Sequence, residues 1–328
     1  MKRLVSTRIR DLRRPKSYSL QTDGITQGLI MCYLKCRVEF ILRLNNWGPL
    51  EEKKVFANGS ITHDTLDKVY TFFNWYKRLP SILKIRQWIQ EFDKDKPDWL
   101  PKANREDIPR IKAVCFVVVT EYIRFYKKDF EQLDIIGAED IFDLIWNGYR
   151  LRGKKDLRYR INGEKWIMET KTMARIDEAE LVDRISFDFQ SHFYTFAEEE
   201  DDPNHEEVHG VVYNVVRNPG HKVGKNETLY TYCNRLRREI RKDPNHFFMR
   251  WSIPFTRLDK LEFRKELLYI LKEIDSWLKG DLSTYRNYKN CVTRFMCTFL
   301  RACASGKLVG FARKYPLFRE LGEEEIND

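Results

Sequence analysis

The sequence predicts an α/β protein in which a central, mostly antiparallel or mixed sheet is flanked by helices. Two Asn-Gly pairs, Asn147-Gly148 and Asn162-Gly163, separate three strand-like segments between residues 139 and 171. Asn-Gly between strands is typical of two-residue hairpin loops, because both central positions of a type I′ turn need positive φ. Helical patterns lie before and after this meander, and that order favours a sheet covered by helices.

The other elements follow in chain order from apolar periodicity and from start and stop signals. A basic arm over 1–16 precedes a helical region over 17–135. That region is expected to hold helices over 27–44, from His63 to about Tyr76, over 81–93 and over 108–128. The core follows over 136–257. A last segment over 258–328 begins with a long helix over 258–278 and ends in a cysteine-rich tail, and we expect one integrated unit.

Within the core, an acidic stretch at 177–180 is typical of a helix N-terminus. The helix that it begins should carry Gln190 and Tyr194 on one face, because they are four residues apart. The run from Glu198 to Asp202 is expected to be a solvated acidic loop. Strands over 208–216 and 247–253 enclose a basic helix over 227–242.

The charge balance favours a polyanionic partner. The 328 residues contain 59 Lys+Arg against 49 Asp+Glu, which gives a net charge of +10 and a pI near 9.1. Nucleic acid is the usual partner of such a chain. We expect four side chains of the basic helix to contact phosphates: Arg235, Arg238, Arg241 and Lys242. No sequence-reading motif is present, so sequence-independent binding is expected.

Membrane and secretory functions are not indicated. The longest strongly apolar run, 114–119, is far too short to span a bilayer, and no apolar stretch follows the basic N-terminus. We therefore expect a soluble, cytoplasmic protein with no membrane partner. No Gly-rich phosphate loop is present, which argues against a built-in ATPase motor.

Counting from the two turns predicts a row of carboxylates. If Ile161 pairs with Glu164, Asp156 lies opposite Glu169, and the same count from the first turn sets Glu139 opposite Asp156. Like charges directly opposite in a sheet repel, and a divalent cation bound by oxygens offsets that repulsion. Lys171 shares a face with Glu169 and supplies a counter-charge. The alternative is a solvated acidic stripe without a metal.

Four short motifs carry a resemblance to a known family. They are Gly59-Ser60-Ile61-Thr62-His63, Gly153-Lys154-Lys155-Asp156, Glu169-Thr170-Lys171 and Gln190-Ser191-His192-Phe193-Tyr194. In this order they resemble the PD-(D/E)XK nuclease superfamily and its RecB-type branch, with phage-encoded nucleases and CRISPR-associated iron–sulfur exonucleases as the nearest look-alikes. The resemblance covers about 36–303. Lys155 stands where the family name has proline.

The resemblance implies the site residues and their metal. His63, Asp156, Glu169 and the main-chain carbonyl of Thr170 would hold Mg²⁺ or Mn²⁺, with Glu139 added by the strand register alone. Lys171 would orient or help deprotonate the attacking water. Gln190 and Tyr194 would lie beside the metal and contact the substrate strand or Lys171; the alternative is a polar patch over the core. A lone histidine is more often a capping or partly buried residue, and only its motif favours His63 as a ligand.

The cysteines carry a second resemblance. Cys291, Cys297 and Cys303 are six residues apart, and with Cys36 they resemble the one-plus-three ligand set of a 4Fe-4S cluster in some RecB-type nucleases. Four thiolates also suit zinc, the less favoured occupant. Cys32 competes with Cys36, and reduced cysteines on a buried helical face are the alternative to any metal. A bound metal would be structural and would tie the two ends of the chain together.

These patterns predict a metal-dependent DNA exonuclease that acts on DNA ends or single strands in recombination, repair or phage replication. Its setting would be the cytoplasm, the host's if the protein is phage-encoded, with a helicase or recombinase as the expected kind of protein partner. A catalytically inactive nucleic-acid-binding subunit on the same fold and an endonuclease are the alternatives.

Overall fold

The computed structural model describes residues 8–50, 57–95, 102–173, 181, 184–220, 223–292, 296–313, 316–318 and 321–322. Among these the helices, numbered in chain order, are α1 (Gln27–Lys35), α2 (Arg37–Leu44), α3 (Ala57–Tyr76), α4 (Ile82–Asp95), α5 (Ile108–Phe125), α6 (Asp129–Gln132), α7 (Phe189–Asp201), α8 (Leu229–Lys242), α9 (Pro244–Phe247), α10 (Arg257–Lys279), α11 (Tyr288–Cys291) and α12 (Leu300–Ser305). Short 3-10 helices cover Ile9–Asp11 and Lys102–Asp107.

The strands are β1 (Trp47–Pro49), β2 (Asp134–Trp146), β3 (Tyr149–Ile161), β4 (Glu164–Met173), β5 (Val208–Arg217), β6 (Phe248–Pro254) and β7 (Phe311–Arg313). Five of them form one sheet in the order β2-β3-β4-β5-β6, and β1 pairs with β7. The β3–β4 and β5–β6 pairs are antiparallel, whereas β4 and β5 are parallel. The predicted mixed sheet flanked by helices is confirmed.

Two compact units divide the chain. The first comprises Met1–Leu50, Ile141–Lys154 and Arg257–Asp328, and the second comprises Glu51–Asp140 and Lys155–Thr256. In the first unit the Trp277 ring is fully buried and lies 5.4 Å from the Phe40 ring. The Arg14 guanidinium of the basic arm lies 4.6 Å from the centre of the Trp277 ring; residues 1–7 of that arm lie outside the described part.

Both hairpin turns form as predicted. Asn147 and Gly148 have φ of 48° and 80°, and Asn162 and Gly163 have φ of 54° and 84°. These positive angles match the type I′ geometry that favours Asn-Gly. Ile161 pairs with Glu164, and the ladder continues to the pair Leu157–Met168. The next residues along the two strands are Asp156 and Glu169, as the count from the turn requires.

Apolar packing fixes the helices on both faces of the sheet in the second unit. On one face, Met168, Val212 and Phe248 belong to a large buried cluster that also contains side chains of α3, α4, α5 and α8. The valine-rich middle of α5 is almost completely buried, which suits its β-branched side chains for close packing rather than for solvent. A second cluster around Ile167 includes Val211 and Phe255, with Tyr194 of α7 packed against it.

Three helix boundaries differ from the sequence prediction. The helix expected over 27–44 is interrupted at Cys36, which is extended with φ of −165° and ψ of 116°. His63 does not open a helix, because α3 begins at Ala57 and His63 lies inside it. The helix with Gln190 and Tyr194 begins at Phe189, where the Asp188 side chain accepts a hydrogen bond from the Ser191 amide. The predicted start at 177–180 lies outside the described residues.

The prediction that the acidic run from Glu198 to Asp202 is a solvated loop is also wrong. Residues up to Asp201 are helical, and Glu198 is only 2% exposed. Its carboxylate lies 2.7 Å from Lys155 Nζ, 2.8 Å from Lys165 Nζ and 3.0 Å from Arg158 Nη1. A buried carboxylate is stable when several cations and donors surround it. These ion pairs hold the C-terminal half of α7 against β3 and β4.

Candidate active site

The centre of the site is Asp156, near the middle of β3. Its Oδ2 atom accepts a hydrogen bond of 3.0 Å from the Thr170 amide of β4. It also lies 3.1 Å from His63 Nε2 on α3, and His63 Nδ1 lies 2.6 Å from Asp67 Oδ2 one helical turn further on. One aspartate thus connects the helix that carries His63 to the strand that carries Glu169, Thr170 and Lys171.

Glu139 completes a group that suits a metal ion. One ligand atom from each of His63, Glu139 and Asp156 lies within 4.8 Å of the others. Glu139 has a positive φ of 59° in the middle of β2, an irregularity of the strand at this residue. Carboxylate oxygens with one imidazole suit Mg²⁺ or Mn²⁺, and the imidazole favours Mn²⁺. The register argument that brought Glu139 to Asp156 therefore agrees with the observed proximity.

Glu169 lies beside this group and has one carboxylate oxygen without a donor. The residue is 2% exposed. Its Oε1 accepts hydrogen bonds from Lys171 Nζ and, at 2.8 Å, from Gln190 Nε2. Its Oε2 is buried and accepts no hydrogen bond from any residue that the structure describes. A buried oxygen without a partner is costly, and a bound divalent cation would satisfy this carboxylate oxygen.

Burial and close neighbours shift the pKa values of the ionisable groups in the site. Burial, together with the nearby Asp156 carboxylate, raises the pKa of Glu169 to about 8. Burial also opposes ionisation of Asp156, but His63, the Thr170 amide and Lys171 outweigh it and lower its pKa. Burial disfavours the charged form of Lys171, yet Glu169 and other neighbours raise its pKa. Two adjacent carboxylates with pKa values pushed apart are typical of a functional site.

A buried polar chain supports Thr170 from the other face of the sheet. Asn214 is fully buried on β5, and its Nδ2 donates to Thr170 Oγ1 at 3.1 Å. Its Oδ1 accepts from Arg250 Nε of β6 at 3.0 Å, and Arg250 Nη1 lies 2.7 Å from Asp129 Oδ2. The chain crosses three neighbouring strands and fixes the backbone whose amide binds Asp156.

The two residues predicted on α7 have different surroundings. Gln190 contacts the site directly, because its Oε1 accepts a hydrogen bond of 2.8 Å from Lys171 Nζ while its Nε2 donates to Glu169. Tyr194, one turn later, packs against the apolar cluster around Ile167, and its ring lies 6.1 Å from that of Phe193. The structure thus brings Gln190 into hydrogen-bonding contact with Lys171 and packs Tyr194 on the apolar cluster.

Only part of the predicted phosphate-binding set is available on α8. Arg235 pairs with Glu227 at 2.8 Å and with Glu239 at 3.2 Å, and Arg241 pairs with Glu121 at 2.8 Å. Arg238 and Lys242 are exposed and form no ion pair with a described residue. Two of the four side chains predicted to bind phosphate, Arg235 and Arg241, are therefore already paired with carboxylates of the protein.

Four cysteines share one small pocket in the first unit. Cys36, Cys291, Cys297 and Cys303 all line it, whereas Cys32 is not among the described residues that do. Cys297 Sγ lies 3.5 Å from Glu39 Oε2, and all seven cysteines are free thiols. Cys36 is extended at the break between α1 and α2, whereas Cys32 is helical within α1.

Two site contacts were missed from the sequence. Asp67 lies four residues after His63, a spacing that places both on one face of a helix, so helical periodicity was a usable signal. Asn214 gave no such signal, because a single polar residue in an apolar strand identifies no partner. Its role depends on strands that are adjacent only in the folded chain.

A comparison with models of protein families gives a match over most of the chain. A family model described as the PD-(D/E)XK nuclease superfamily matches residues 26–304. No curated protein matches the chain. Within the described residues, no helix has the length and apolar character required to cross a bilayer.

Proposed function

The chain belongs to the PD-(D/E)XK nuclease superfamily, whose members are usually metal-dependent nucleases, and we propose that it is a DNA exonuclease acting on ends or single strands. The observation that carries the proposal is the convergence of His63, Glu139 and Asp156 next to a buried Glu169 oxygen without a donor. Such a group is unfavourable without a cation, and a cation held by carboxylates can activate water and stabilise the leaving oxygen in phosphodiester hydrolysis.

Each residue of the site has a separate role in the proposed reaction. His63, Glu139, Asp156 and Glu169 would hold Mg²⁺ or Mn²⁺, with the Thr170 carbonyl as a further ligand. The bound cation supplies charge neutralisation at the phosphate and a more acidic water. Lys171 has a raised pKa and stays protonated at neutral pH. It is therefore suited to orient the attacking water and to offset phosphate charge while Gln190 fixes its position.

We also propose a 4Fe-4S cluster on Cys36, Cys291, Cys297 and Cys303, because these four thiols line one pocket. Four thiolates suit an iron–sulfur cluster, and zinc is the less favoured occupant. The role of the cluster would be to stabilise the first unit.

Cytoplasmic recombination, repair or phage replication, with a helicase or recombinase as partner, is the setting that this activity would suit. The competing proposals are an inactive nucleic-acid-binding subunit and an endonuclease. The Lys171–Gln190–Glu169 hydrogen bonds favour an active enzyme over the first, because a chain that only binds does not need them.

One assay separates the three activities. End-labelled single- and double-stranded DNA, linear and closed circular, is incubated with the protein and Mg²⁺ or Mn²⁺. We expect loss of nucleotides from ends, abolished by Lys171→Ala and unaffected by Lys225→Ala, an exposed lysine in a loop. Binding without cleavage would support the inactive subunit, and nicking of closed circles would support the endonuclease.

The cluster has its own test. Anaerobically purified protein should be brown and contain about four iron and four sulfide per chain. Cys36→Ser should lose the colour, whereas Cys32→Ser, the matched control, should keep it. Zinc without iron, or equal loss in both variants, would contradict the proposed ligand set.

A further inference from the structure

The turn between α3 and α4 exposes an unusual group of side chains, here called the 75–84 corner. Trp75 is 75% exposed and Tyr76 is 56% exposed, and the Tyr76 ring lies 4.5 Å from the Phe72 ring, which supports it from one side. Leu83 is 74% exposed on the adjoining turn of α4. Large aromatic rings are usually buried in the core, so two exposed side by side call for an explanation from function.

The charged residues next to these rings in the sequence are all positive. Residues 68–90 contain no carboxylate, and their cations are Lys68, Lys77, Arg78, Lys84 and Arg86, of which Lys68 pairs with Asp64 at 2.8 Å. Lys77 and Arg78 are exposed, and neither forms an ion pair with a residue in the described ranges. On α8, by contrast, Glu227, Glu239 and Glu121 pair with Arg235 and Arg241, two of the three arginines that the sequence had singled out.

We propose that the 75–84 corner binds single-stranded nucleic acid, with bases stacked on Trp75 and Tyr76 and phosphates held by Lys77 and Arg78. The inference rests on the proposed nuclease function and adds a contact surface to it. Stacking on aromatic rings requires unpaired base faces, which a duplex hides. An identical copy of the corner is an unsuitable occupant, because its cations would face like charges.

The location of the corner connects it with the candidate active site. His63 and Trp75 belong to the same helix, and 12 residues at 1.5 Å per residue separate them by about 18 Å along its axis. Even at the axial rise of a stacked duplex strand, about 3.4 Å per nucleotide, a strand covers that distance in about five nucleotides, and a more extended single strand needs fewer. A small phosphodiester bound at His63 would not reach Trp75. The corner therefore affects long substrates only.

The backbone conformation of Lys77 allows a substitution that tests the role of its charge without destabilising the fold. Lys77 has a positive φ of 50°, and its amide donates to the Phe73 carbonyl at 2.8 Å at the end of α3. Glycine is the residue favoured in that conformation. Lys77→Gly thus removes a charge while relieving the backbone, so weaker binding cannot be attributed to a less stable fold.

The test is fluorescence anisotropy of a labelled single-stranded 15-mer with the full chain in EDTA, over a range of salt concentrations. We expect Trp75→Ala to weaken binding about 5-fold or more, with Trp75→Phe restoring most of it. Lys77→Gly should weaken binding, reduce the slope of log K against log salt by about 0.7 and leave Tm unchanged or higher. Leu83→Ala, the exposed apolar control, should bind like wild type.

Several results would overturn the inference. They are failure of the wild type to bind the 15-mer, unchanged binding in Trp75→Ala and Lys77→Gly, or an equal loss in Leu83→Ala, which indicates an apolar protein or membrane contact. Cleavage of bis(p-nitrophenyl) phosphate should be unchanged in Trp75→Ala, and a parallel loss would also contradict it. If the 15-mer binds through the corner but no metal supports cleavage, the nuclease proposal fails and the corner stands.

Discussion

Replacing Glu169 with glutamine should make the metal-free protein more stable while removing its response to metal. In the folded protein, burial and the Asp156 carboxylate raise the pKa of Glu169 from 4.5 to about 8. The folded state then binds this proton more tightly than the unfolded chain, so stability falls as the pH rises from about 4.5 to about 8. At about 1.36 kcal/mol per pH unit, the loss at pH 7 is about 3 kcal/mol.

Glutamine keeps the shape without the charge. Its Oε1 can still accept from Lys171, but an amide N–H replaces the Oε2 atom that no described donor contacts. An unsatisfied buried N–H costs about 1 kcal/mol, which leaves a net gain of about 2 kcal/mol for Glu169→Gln at pH 7. For a chain of this length the gain corresponds to an increase in Tm of about 3 °C.

The assay is thermal or urea unfolding in EDTA and in Mn²⁺, at pH 5 and pH 7. We expect the variant to exceed the wild type in EDTA at pH 7, with a smaller difference at pH 5, and Mn²⁺ to stabilise only the wild type. Glu164→Gln, an exposed carboxylate on the same strand, should leave both properties unchanged. A variant less stable than wild type in EDTA at pH 7, or one equally stabilised by Mn²⁺, would refute the reasoning.

Three further substitutions probe the supports of the site. Glu198→Ala leaves buried cations without their shared carboxylate, so the free energy of unfolding should fall by about 3–5 kcal/mol in urea titrations; a loss under 1 kcal/mol would contradict this. Gly163→Ala places an alanine at φ of 84° in open space and should cost about 1 kcal/mol, whereas Gly220→Ala, equally open and without a positive φ, should be neutral. Asn214→Ala should destabilise the fold by about 2 kcal/mol and weaken Mn²⁺ binding in calorimetry, and unchanged affinity would show that Thr170 needs no support.

Features encoded by neighbouring residues were predictable from the sequence. Asn162-Gly163 specified its turn because few other residue pairs accept two positive φ angles. The turn fixed the register of β3 against β4, and the register placed Asp156 next to Glu169. The family signature added His63, whose proximity to Asp156 depends on the packing of α3 and could not be derived from spacing.

Features that depend on distant partners were missed. Nothing in Lys35-Cys36-Arg37 breaks a helix, since no glycine or proline is present, yet the chain is extended at Cys36. A run of acidic residues at 198–202 was expected in solvent because the cations that surround Glu198, such as Lys165 and Lys155, are 33 and 43 residues away in the sequence. The same limit applies to Arg241, whose partner Glu121 is 120 residues away.

The three-segment composition of the first unit has a consequence during protein synthesis. Every residue of the second unit precedes Arg257, whereas the first unit needs the stretch that begins there. Domains fold as units, and those completed earlier begin while the chain is still growing. Cys291 follows Cys36 by 255 residues, so Cys36 emerges from the ribosome long before the other three thiols of its pocket exist. Formation of the pocket is therefore a late event that must wait until Cys303 has been synthesised.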